Sequence, residues 1–429
     1  MKRIGLISLG CAKNLVDSEN ILGLLENDGY TIVNNVPDAD IVVVNTCGFI
    51  DPSKKESIET IFEMLEQNKE VVVTGCLAQR YEDVLKEEIP EAHFIPIRNY
   101  HEFNKLLSKI DPELTRTDGV NDHYRMISTG NYSAYLKIGE GCDNRCTYCA
   151  IPLIRGGFVS RPYNEIIKEA HTLADLGYKE IIVLEQDTTK YGIDRKADGY
   201  NIVSLLKGLL EIREFAYIRL LYLYPDEITD ELIELIATEK RLTPYFDVPI
   251  QHSEDHILKD MNRRGDKVLL RNLFTKIKNR VPNAVLRTTV MVGFPGETEE
   301  DVDNLISFLE EIKFDHVGAF TYSREEGTKS YDFPNQIDEK VKKARLKRVM
   351  QAQQKISYRQ NKTHIGEIME GLVVGEQNGN YLLRSYWNAP DDVDGKIFFK
   401  SPRPLKEGDE VSVKITEVFV YDLMGELKE

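Results

Sequence analysis

Ala134-Tyr-Leu-Lys-Ile138, the turn Gly139-Glu-Gly141 and then Cys142-Asp-Asn-Arg-Cys146-Thr-Tyr-Cys149 form the stretch from which the rest of the chain is read. A short apolar strand delivers three cysteines into one tight loop. Three thiolates held this close, with no fourth beside them, can ligate three irons of a four-iron cluster and leave the last iron open to a substrate. A tetrahedral zinc site needs four ligands and usually shows two paired arms of Cys or His. The nearest histidines in sequence, His123 and His171, do not supply a fourth ligand locally.

The strand before this loop is the first of six that alternate with helical stretches up to about residue 335. The others are expected at Glu180–Leu184, Tyr217–Leu223, Tyr245–Ile250, Val285–Val292 and His316–Tyr322. Six βα units over some 200 residues predict a partial (β/α) barrel, with chemistry at the C-terminal ends of its strands. Polar residues gather there. After the first strand come the three cysteines, and after the next four come Glu185-Gln-Asp187, Tyr224-Pro-Asp226, Gln251-His252 and Gly293-Phe-Pro-Gly-Glu297. Ser323-Arg-Glu-Glu326 follows the sixth.

Residues 1–118 read as a doubly wound parallel α/β domain. Arg3–Leu9, Asp40–Asn45 and Glu70–Thr74 have the continuous apolar character of buried parallel strands. Helices are expected at Asp17–Asn27 and Pro52–Gln67, the second capped by Asp51. Cys11, Cys47 and Cys76 each follow one of these strands, on the edge where open parallel sheets bind ligands. One such cysteine is ordinarily a small buried hydrophobe; three at equivalent strand ends point to a second three-thiol set. A polar stretch from Asp111 to Asn131, with a turn at Thr117-Asp-Gly119, reads as a linker.

Asp338 to about Arg359 reads as a basic amphipathic helix with a solvated face, packed on the barrel. Residues 360–429 carry short β-rich runs at Ile368–Val374, Asn380–Ser385, Gly395–Phe399 and Glu410–Val420, broken by turn residues. A small antiparallel β-barrel is expected there. The whole is an α/β multidomain chain with domains at 1–118, 128–357 and 360–429.

Composition narrows the function. The net charge is −16, from 55 Lys+Arg against 71 Asp+Glu, and residues 360–429 carry 8 Lys+Arg against 13 Asp+Glu, or −5. No broad basic surface is available to grip nucleic acid. Six cysteines fit a reducing cytoplasm, where thiols serve metals or catalysis. Met1-Lys-Arg3 followed by Ile4–Leu9 faintly resembles a signal peptide, but the six-residue apolar run is short and reads better as a strand. No run approaches the roughly 20 apolar residues of a membrane span.

Cys-x-x-x-Cys-x-x-Cys with Tyr148 before the last cysteine resembles the signature of the radical S-adenosylmethionine enzymes. The order of a three-cysteine α/β domain, a radical barrel and a small β-barrel resembles the methylthiotransferases over essentially the whole chain. That resemblance implies a C-terminal TRAM domain that recognises substrate, two 4Fe-4S clusters and S-adenosylmethionine. Cys142, Cys146 and Cys149 would hold the radical-generating cluster. Cys11, Cys47 and Cys76 would hold an auxiliary cluster whose open iron carries the sulfur to be transferred. One branch of the family modifies an adenosine of transfer RNA; the other modifies an aspartate β-carbon in the twelfth small-subunit ribosomal protein. Ser8-Leu-Gly-Cys-Ala-Lys-Asn-Leu-Val-Asp-Ser18, Cys149-Ala-Ile-Pro-Leu-Ile-Arg-Gly156, Tyr222-Leu-Tyr-Pro225 and Trp387-Asn-Ala-Pro-Asp-Asp-Val-Asp-Gly395 are similar to the second branch. The acidic last domain agrees, since a strongly basic protein would meet it with opposite charge.

The resemblance further implies partners: the basic ribosomal protein, a reductant such as a flavodoxin or ferredoxin, and a sulfur donor that the residues do not identify. Neither a membrane nor a nucleic-acid substrate is expected. Five residues are expected at the S-adenosylmethionine. Tyr148 would lie beside the adenine, or be a core aromatic. Glu185 and Gln186 stand at the second strand end, where radical enzymes often bind the amino group. Arg287 would pair with the carboxylate, or form a structural ion pair. Gly293 belongs to a Gly-rich run near the adenosine, or to a turn into the helix opened by Thr298-Glu-Glu-Asp301. His252 reads equally as site or scaffold.

Overall fold

The computed structural model describes residues 2–110, 112, 125–390 and 393–428. The first domain is a five-stranded parallel sheet, in spatial order Thr31–Ile32, Arg3–Ser8, Ile41–Thr46, Glu70–Thr74 and His93–Phe94. Its strands are apolar on both faces because both faces are covered. Ile4, Ile41, Val43 and Val72 pack with Ile21, Leu24 and Leu25 of the helix Ala12–Asn27 and with Phe103 and Leu107. Val42, Val44, Val71 and Val73 pack with Ile61, Met64, Leu77 and Leu85 on the other side. Strand order reverses between Arg3–Ser8 and Ile41–Thr46, and such a switch point opens the crevice where ligands bind. Cys11 and Cys47 stand at the ends of those two strands, with Cys76 after the next.

The expected helix at 17–27 begins earlier, at Ala12, so Cys11 occupies its N-cap position. The second helix spans Asp51–Glu66; its N-cap is Ile50, and Asp51 and Pro52 fill its first turn. The two edge strands, Thr31–Ile32 and His93–Phe94, have only two residues each and carry no readable pattern. Thr117-Asp-Gly119 and most of the stretch expected as a linker lie outside the described residues. Its later part is anchored: Arg125 pairs with Glu19 and Glu169, and the Ser128 amide donates to Glu19.

All six expected strands of the second domain are present and parallel. They form two three-stranded halves, Ser133–Lys137, Glu180–Leu184 and Tyr217–Leu220, then Tyr245–Asp247, Val285–Val292 and His316–Thr321. The halves join where the Leu223 amide donates to the Asp247 carbonyl at 2.8 Å. Alternation sorts the side chains. Ala134, Leu136, Ile181 and Val183 face the surrounding helices, whereas Tyr135, Ile182, Leu184, Tyr245 and Val285 share a core with the third domain. Thr298 and Asp301 form the expected capping box of the helix Glu299–Ile312. The basic helix runs over Glu339–Thr363 and packs on the barrel, with Arg345 buried against Glu297 and Glu299.

The third domain is a closed barrel of Ile368–Gln377, Asn380–Ser385, Ile397–Lys400, Leu423–Leu427 and Glu410–Val418. Four neighbouring pairs are antiparallel; Ile397–Lys400 and Leu423–Leu427 run parallel. Leu423–Leu427 is a fifth strand hidden in sequence by Gly425 and Glu426, which interrupt its apolar run. This barrel is fastened to the interior of the larger one. Buried Arg219 bridges Glu180 and the Ser385 carbonyl, and the Trp387 carbonyl lies 2.8 Å from His316 Nε2. Trp387 is 1% exposed. Trp387→Ala is therefore expected to destabilise the chain by about 3–5 kcal/mol, read as a lower urea midpoint by circular dichroism. A loss below about 1 kcal/mol, within the range of an ordinary surface substitution, would contradict this packing.

Candidate functional site

The loop after Ser133–Lys137 is held from several sides. The Thr147 amide donates to the Met261 carbonyl and its hydroxyl to the Asp260 carbonyl, while the Ser330 amide donates to the Thr147 carbonyl. Asn262 Nδ2 caps the Arg145 carbonyl at 3.0 Å. Arg145 itself is left-handed, at φ 52°. Cys142, Cys146 and Cys149 thereby open together onto a cleft of about 280 Å³ walled by strand-end residues of the barrel. Burial pushes the Cys142 thiol up to about 11 and raises that of Cys149 further. These thiols keep their protons until a metal displaces them, so cluster binding would release protons.

The cleft wall carries backbone strain. Tyr222 and Gln251 are left-handed, at φ 61° and 68°, a conformation that costs about 1–3 kcal/mol in a non-glycine residue. Gln251 is 8% exposed, and its Oε1 has no partner. An orphaned buried amide oxygen, a tyrosine beside the cysteines and a guanidinium from Arg263 fit a polar, aromatic ligand. Arg263 stacks on the Tyr224 ring at 4.3 Å and reaches the Tyr148 hydroxyl at 3.4 Å and Cys146 Sγ at 4.0 Å.

The second thiol set is shaped by Asn14, which donates from Nδ2 to the carbonyls of Leu9, Asn45 and Thr46 and so draws two strand ends onto the helix start. At Gly10, φ is 91° and a Cβ would stand 2.9 Å from Cys47 Cβ; only glycine allows this approach. Burial raises the Cys47 thiol and takes that of Cys76 to about 11; a charge on Cys11 would raise both further. Two residues beyond Cys47, Phe49 lines the cleft onto which the other trio opens. Among the described residues no three His, Cys, Asp or Glu side chains close around a single metal ion. Thiolates that each bind a different iron of one cluster stand farther apart than ligands to one ion. What each trio offers is three thiol donors on neighbouring strand ends or in one loop, the donor chemistry of an iron–sulfur cluster.

A buried ionic seam joins the domains. Lys13 Nζ lies 3.2 Å from Glu185 and 3.1 Å from Glu140, and donates also to Gln186. Arg155 pairs with Asp17 at 2.5 Å and with Glu140 at 3.2 Å, and its Nη2 reaches Cys76 Sγ at 3.4 Å. On the other side of the interface, Glu325 accepts from Lys54 at 2.9 Å and Arg80 at 2.7 Å.

Tyr148, Gln186 and Arg287 line the cleft together with the three cysteines. Glu185 lies behind it, fully buried and turned to Lys13. Gly293 sits at a turn against Lys342, where a Cβ would stand 2.3 Å from Cγ, and its amide donates to Glu297. Arg287 carries two ion pairs, to Asp247 at 2.8 Å and to Asp394 of the third domain at 3.3 Å. His252 does not line the cleft; its Nδ1 accepts from the Glu254 amide and its Nε2 lies 3.4 Å from buried Glu297. Lys13, Phe49, Arg155, Arg263 and Asp394 did not stand out in the sequence as site residues. Lys13 and Arg155 do fall within segments already marked by cysteines.

The central domain is a radical S-adenosylmethionine domain: the Radical SAM superfamily model matches residues 136–309. The model described as Uncharacterized protein family UPF0004 matches residues 3–96, and the TRAM domain model residues 365–427. The ribosomal protein uS12 methylthiotransferase RimO of Thermoanaerobacter sp. (strain X514) is 44% identical over 438 residues, covering 99% of this chain and 100% of the relative. RimO of Aquifex aeolicus (strain VF5) is 46% identical over 428 residues, 99% and 96% respectively. The chain belongs to the family of ribosomal protein uS12 methylthiotransferases, RimO. Among solved structures, the radical S-adenosylmethionine methyltransferase TsrM from Kitasatospora setae, with cobalamin and a 4Fe-4S cluster, superposes with a TM-score of 0.52 at 14% identity. That match covers 89% of this chain and 80% of that one. The cobalamin-dependent enzyme OxsB also gives 0.52, at 11% identity, covering 82% and 56%. At such identities the likeness concerns the fold.

Glu185 yields a pH prediction. Burial outweighs the pull of Lys13 and raises its carboxyl from 4.5 to about 7. The folded chain therefore holds this proton more tightly than the unfolded one. The stability it contributes is complete below the unfolded value and is lost as pH rises through the folded value. The stability of the wild type relative to Glu185→Gln should fall as pH rises from about 5 to about 7 and stay level beyond, measured by urea unfolding. A difference independent of pH would contradict the assignment.

Proposed function

We propose that this chain inserts a methylthio group on the β-carbon of an aspartate in the twelfth small-subunit ribosomal protein, using two 4Fe-4S clusters and S-adenosylmethionine. Identity to RimO relatives along the whole chain carries this reading, and the packing of Cys76 against Ala150 and Ile154, in the segment that follows Cys149, supports it. When bound, the clusters and S-adenosylmethionine would supply the one-electron chemistry and the sulfur that no side chain can provide. Cys142, Cys146 and Cys149 would hold the radical-generating cluster; Cys11, Cys47 and Cys76 the auxiliary one. The functional division is taken as 1–118 for the auxiliary-cluster domain, 128–357 for the radical domain and 360–429 for substrate recognition.

The chain's own residues do the positioning. Tyr148 would lie against the adenine, with its hydroxyl held by Arg263. Gln251 offers its amide to the polar part of S-adenosylmethionine, its Oε1 being an acceptor left without a partner, whereas the Gln186 amide lines the cleft but is held by Lys13 and Glu140. Arg287, already bracketed by Asp247 and Asp394, would present its guanidinium edge toward the carboxylate. Glu185 and Gly293 support the cleft from behind, the first through Lys13 and the second through its turn. Phe49, two residues beyond Cys47, lines the cleft and would help to keep water from the reacting carbon.

The substrate side is argued from charge. Glu370, Glu376, Glu407, Glu410, Glu417 and Glu426 are exposed on the last domain beside Lys400, Arg403, Lys406, Lys414 and Lys428, and residues 360–429 carry −5 in all. This balance favours encounter with a basic protein over a polyanion. We place the protein in the cytoplasm with ribosomal substrate and a flavodoxin- or ferredoxin-type reductant; among the described residues, no helix is long and apolar enough to cross a membrane.

The anaerobically reconstituted protein, incubated with S-adenosylmethionine and reductant, should add a methylthio group to the ribosomal protein at an aspartate, detected by peptide mass spectrometry. A product on transfer RNA, and none on the protein, would overturn the reading in favour of the adenosine-modifying branch. Iron and sulfide analysis should find about eight irons per chain, from two four-iron clusters, with about half lost in Cys11→Ala. About four irons in the wild type would contradict the second cluster.

A further inference from the structure

We infer that Arg155 couples the two cysteine trios: it is a positioning residue that sets the reduction potential of the auxiliary cluster through an N–H···S bond to Cys76. The inference rests on the reading that Cys11, Cys47 and Cys76 hold a cluster. Arg155 ends the five-residue helix Ile151–Arg155, which begins two residues after Cys149. One side of that helix is apolar, and Ala150 and Ile154 pack directly with Cys76. Its charged end turns back into the domain interface. There the guanidinium, 1% exposed, meets Asp17 at 2.5 Å, Glu140 at 3.2 Å, Asn14 Oδ1 at 3.0 Å and Cys76 Sγ at 3.4 Å. A single short segment thus carries a ligand of one trio and grips a ligand of the other.

The residue type suits the task. A guanidinium stays charged and presents several donors in a rigid fork, so it can satisfy two carboxylates and still direct an N–H at sulfur. Docking alone does not require this. Lys13 with Glu185 and Lys54 and Arg80 with Glu325 already tie the domains by pairs that involve no cysteine. Hydrogen bonds to cluster sulfurs and nearby positive charge favour the more negative, reduced state and raise the potential. Arg263 stands in a related position toward Cys146 of the other trio, at 4.0 Å. Each trio therefore has a buried arginine aimed at one of its sulfurs.

The test uses the full chain with Cys142→Ala, Cys146→Ala and Cys149→Ala, so that only the auxiliary cluster forms. Its midpoint potential is measured by redox titration followed by electron paramagnetic resonance. Asp17→Asn serves as the reference, because it disturbs the seam but leaves the guanidinium on sulfur. Arg155→Met with Asp17→Asn removes the guanidinium together with one of its two carboxylate partners, Lys137 keeping its pair with Glu140. The double variant should titrate at a lower potential than Asp17→Asn alone, with iron content unchanged. Where the double variant loads poorly, Arg155→Lys carries the test, since one ammonium cannot serve both carboxylates and the sulfur; it too should titrate lower than the unaltered auxiliary-only chain. A loaded Arg155 variant at the potential of its reference would overturn the inference. Absence of any cluster in the auxiliary-only chain with Arg155 intact would instead overturn the two-cluster reading on which it rests.

Discussion

The arrangement depends on burying charge between two domains. Lys13, Asp17, Glu140, Arg155 and Glu185 sit in one seam, and Lys13 and Arg155 are almost fully shielded from water. Ions taken out of water are tolerated only when paired with good geometry, and removing one partner from such a pair costs about 3–5 kcal/mol. In the observed docking each of these buried ions has an oppositely charged partner. Its members are also close in sequence to the cysteines: Lys13 follows Cys11 by two residues, Glu140 precedes Cys142 by two, and Arg155 follows Cys149 by six. Fixing the domains and fixing the thiols is one structural act. The pairing around Glu325 repeats the logic on the far side of the interface.

The third domain enters the same system from behind the cleft. Asp394 accepts a hydrogen bond from the Tyr245 hydroxyl at 2.6 Å and pairs with Arg287 at 3.3 Å, and Arg287 lines the cleft. Burial opposes ionisation of Asp394, but His316 and Arg287 outweigh it and hold its carboxyl below the usual range. A charged contact thus runs from the small barrel to the wall of the site. The domain that we assign to substrate recognition also shapes the place where chemistry would occur.

Much of this was legible in the sequence because it is written in short-range patterns. Continuous apolar runs placed the parallel strands, and cysteines directly after them marked two ligand-binding edges. The spacing of Cys142, Cys146 and Cys149 carried its chemistry without any tertiary information. What escaped lacks local pattern. The two-residue strands at Thr31–Ile32 and His93–Phe94 exist only through their neighbours, and Leu423–Leu427 is stabilised by closing a barrel. Arg287 reads equally as ligand contact or salt bridge until Asp394, more than one hundred residues away, is placed beside it. Arg155 is one residue of the Cys149–Gly156 motif with no marked role until the fold brings Cys76 to it. Lys13 lies outside the helix expected at 17–27 and carries no local signal of the buried place it takes.

The central claim is that both trios hold clusters, brought close together where Cys76 meets the segment that follows Cys149. Pulsed dipolar electron paramagnetic resonance on the reconstituted, fully reduced wild-type chain tests it most directly, because it reads the magnetic interaction between two paramagnetic centres in one molecule. The account predicts two cluster signals that interact, with an interaction lost when either trio is replaced by alanine. Two signals with no mutual interaction, or one signal that survives replacement of Cys142, Cys146 and Cys149 without change, would contradict it.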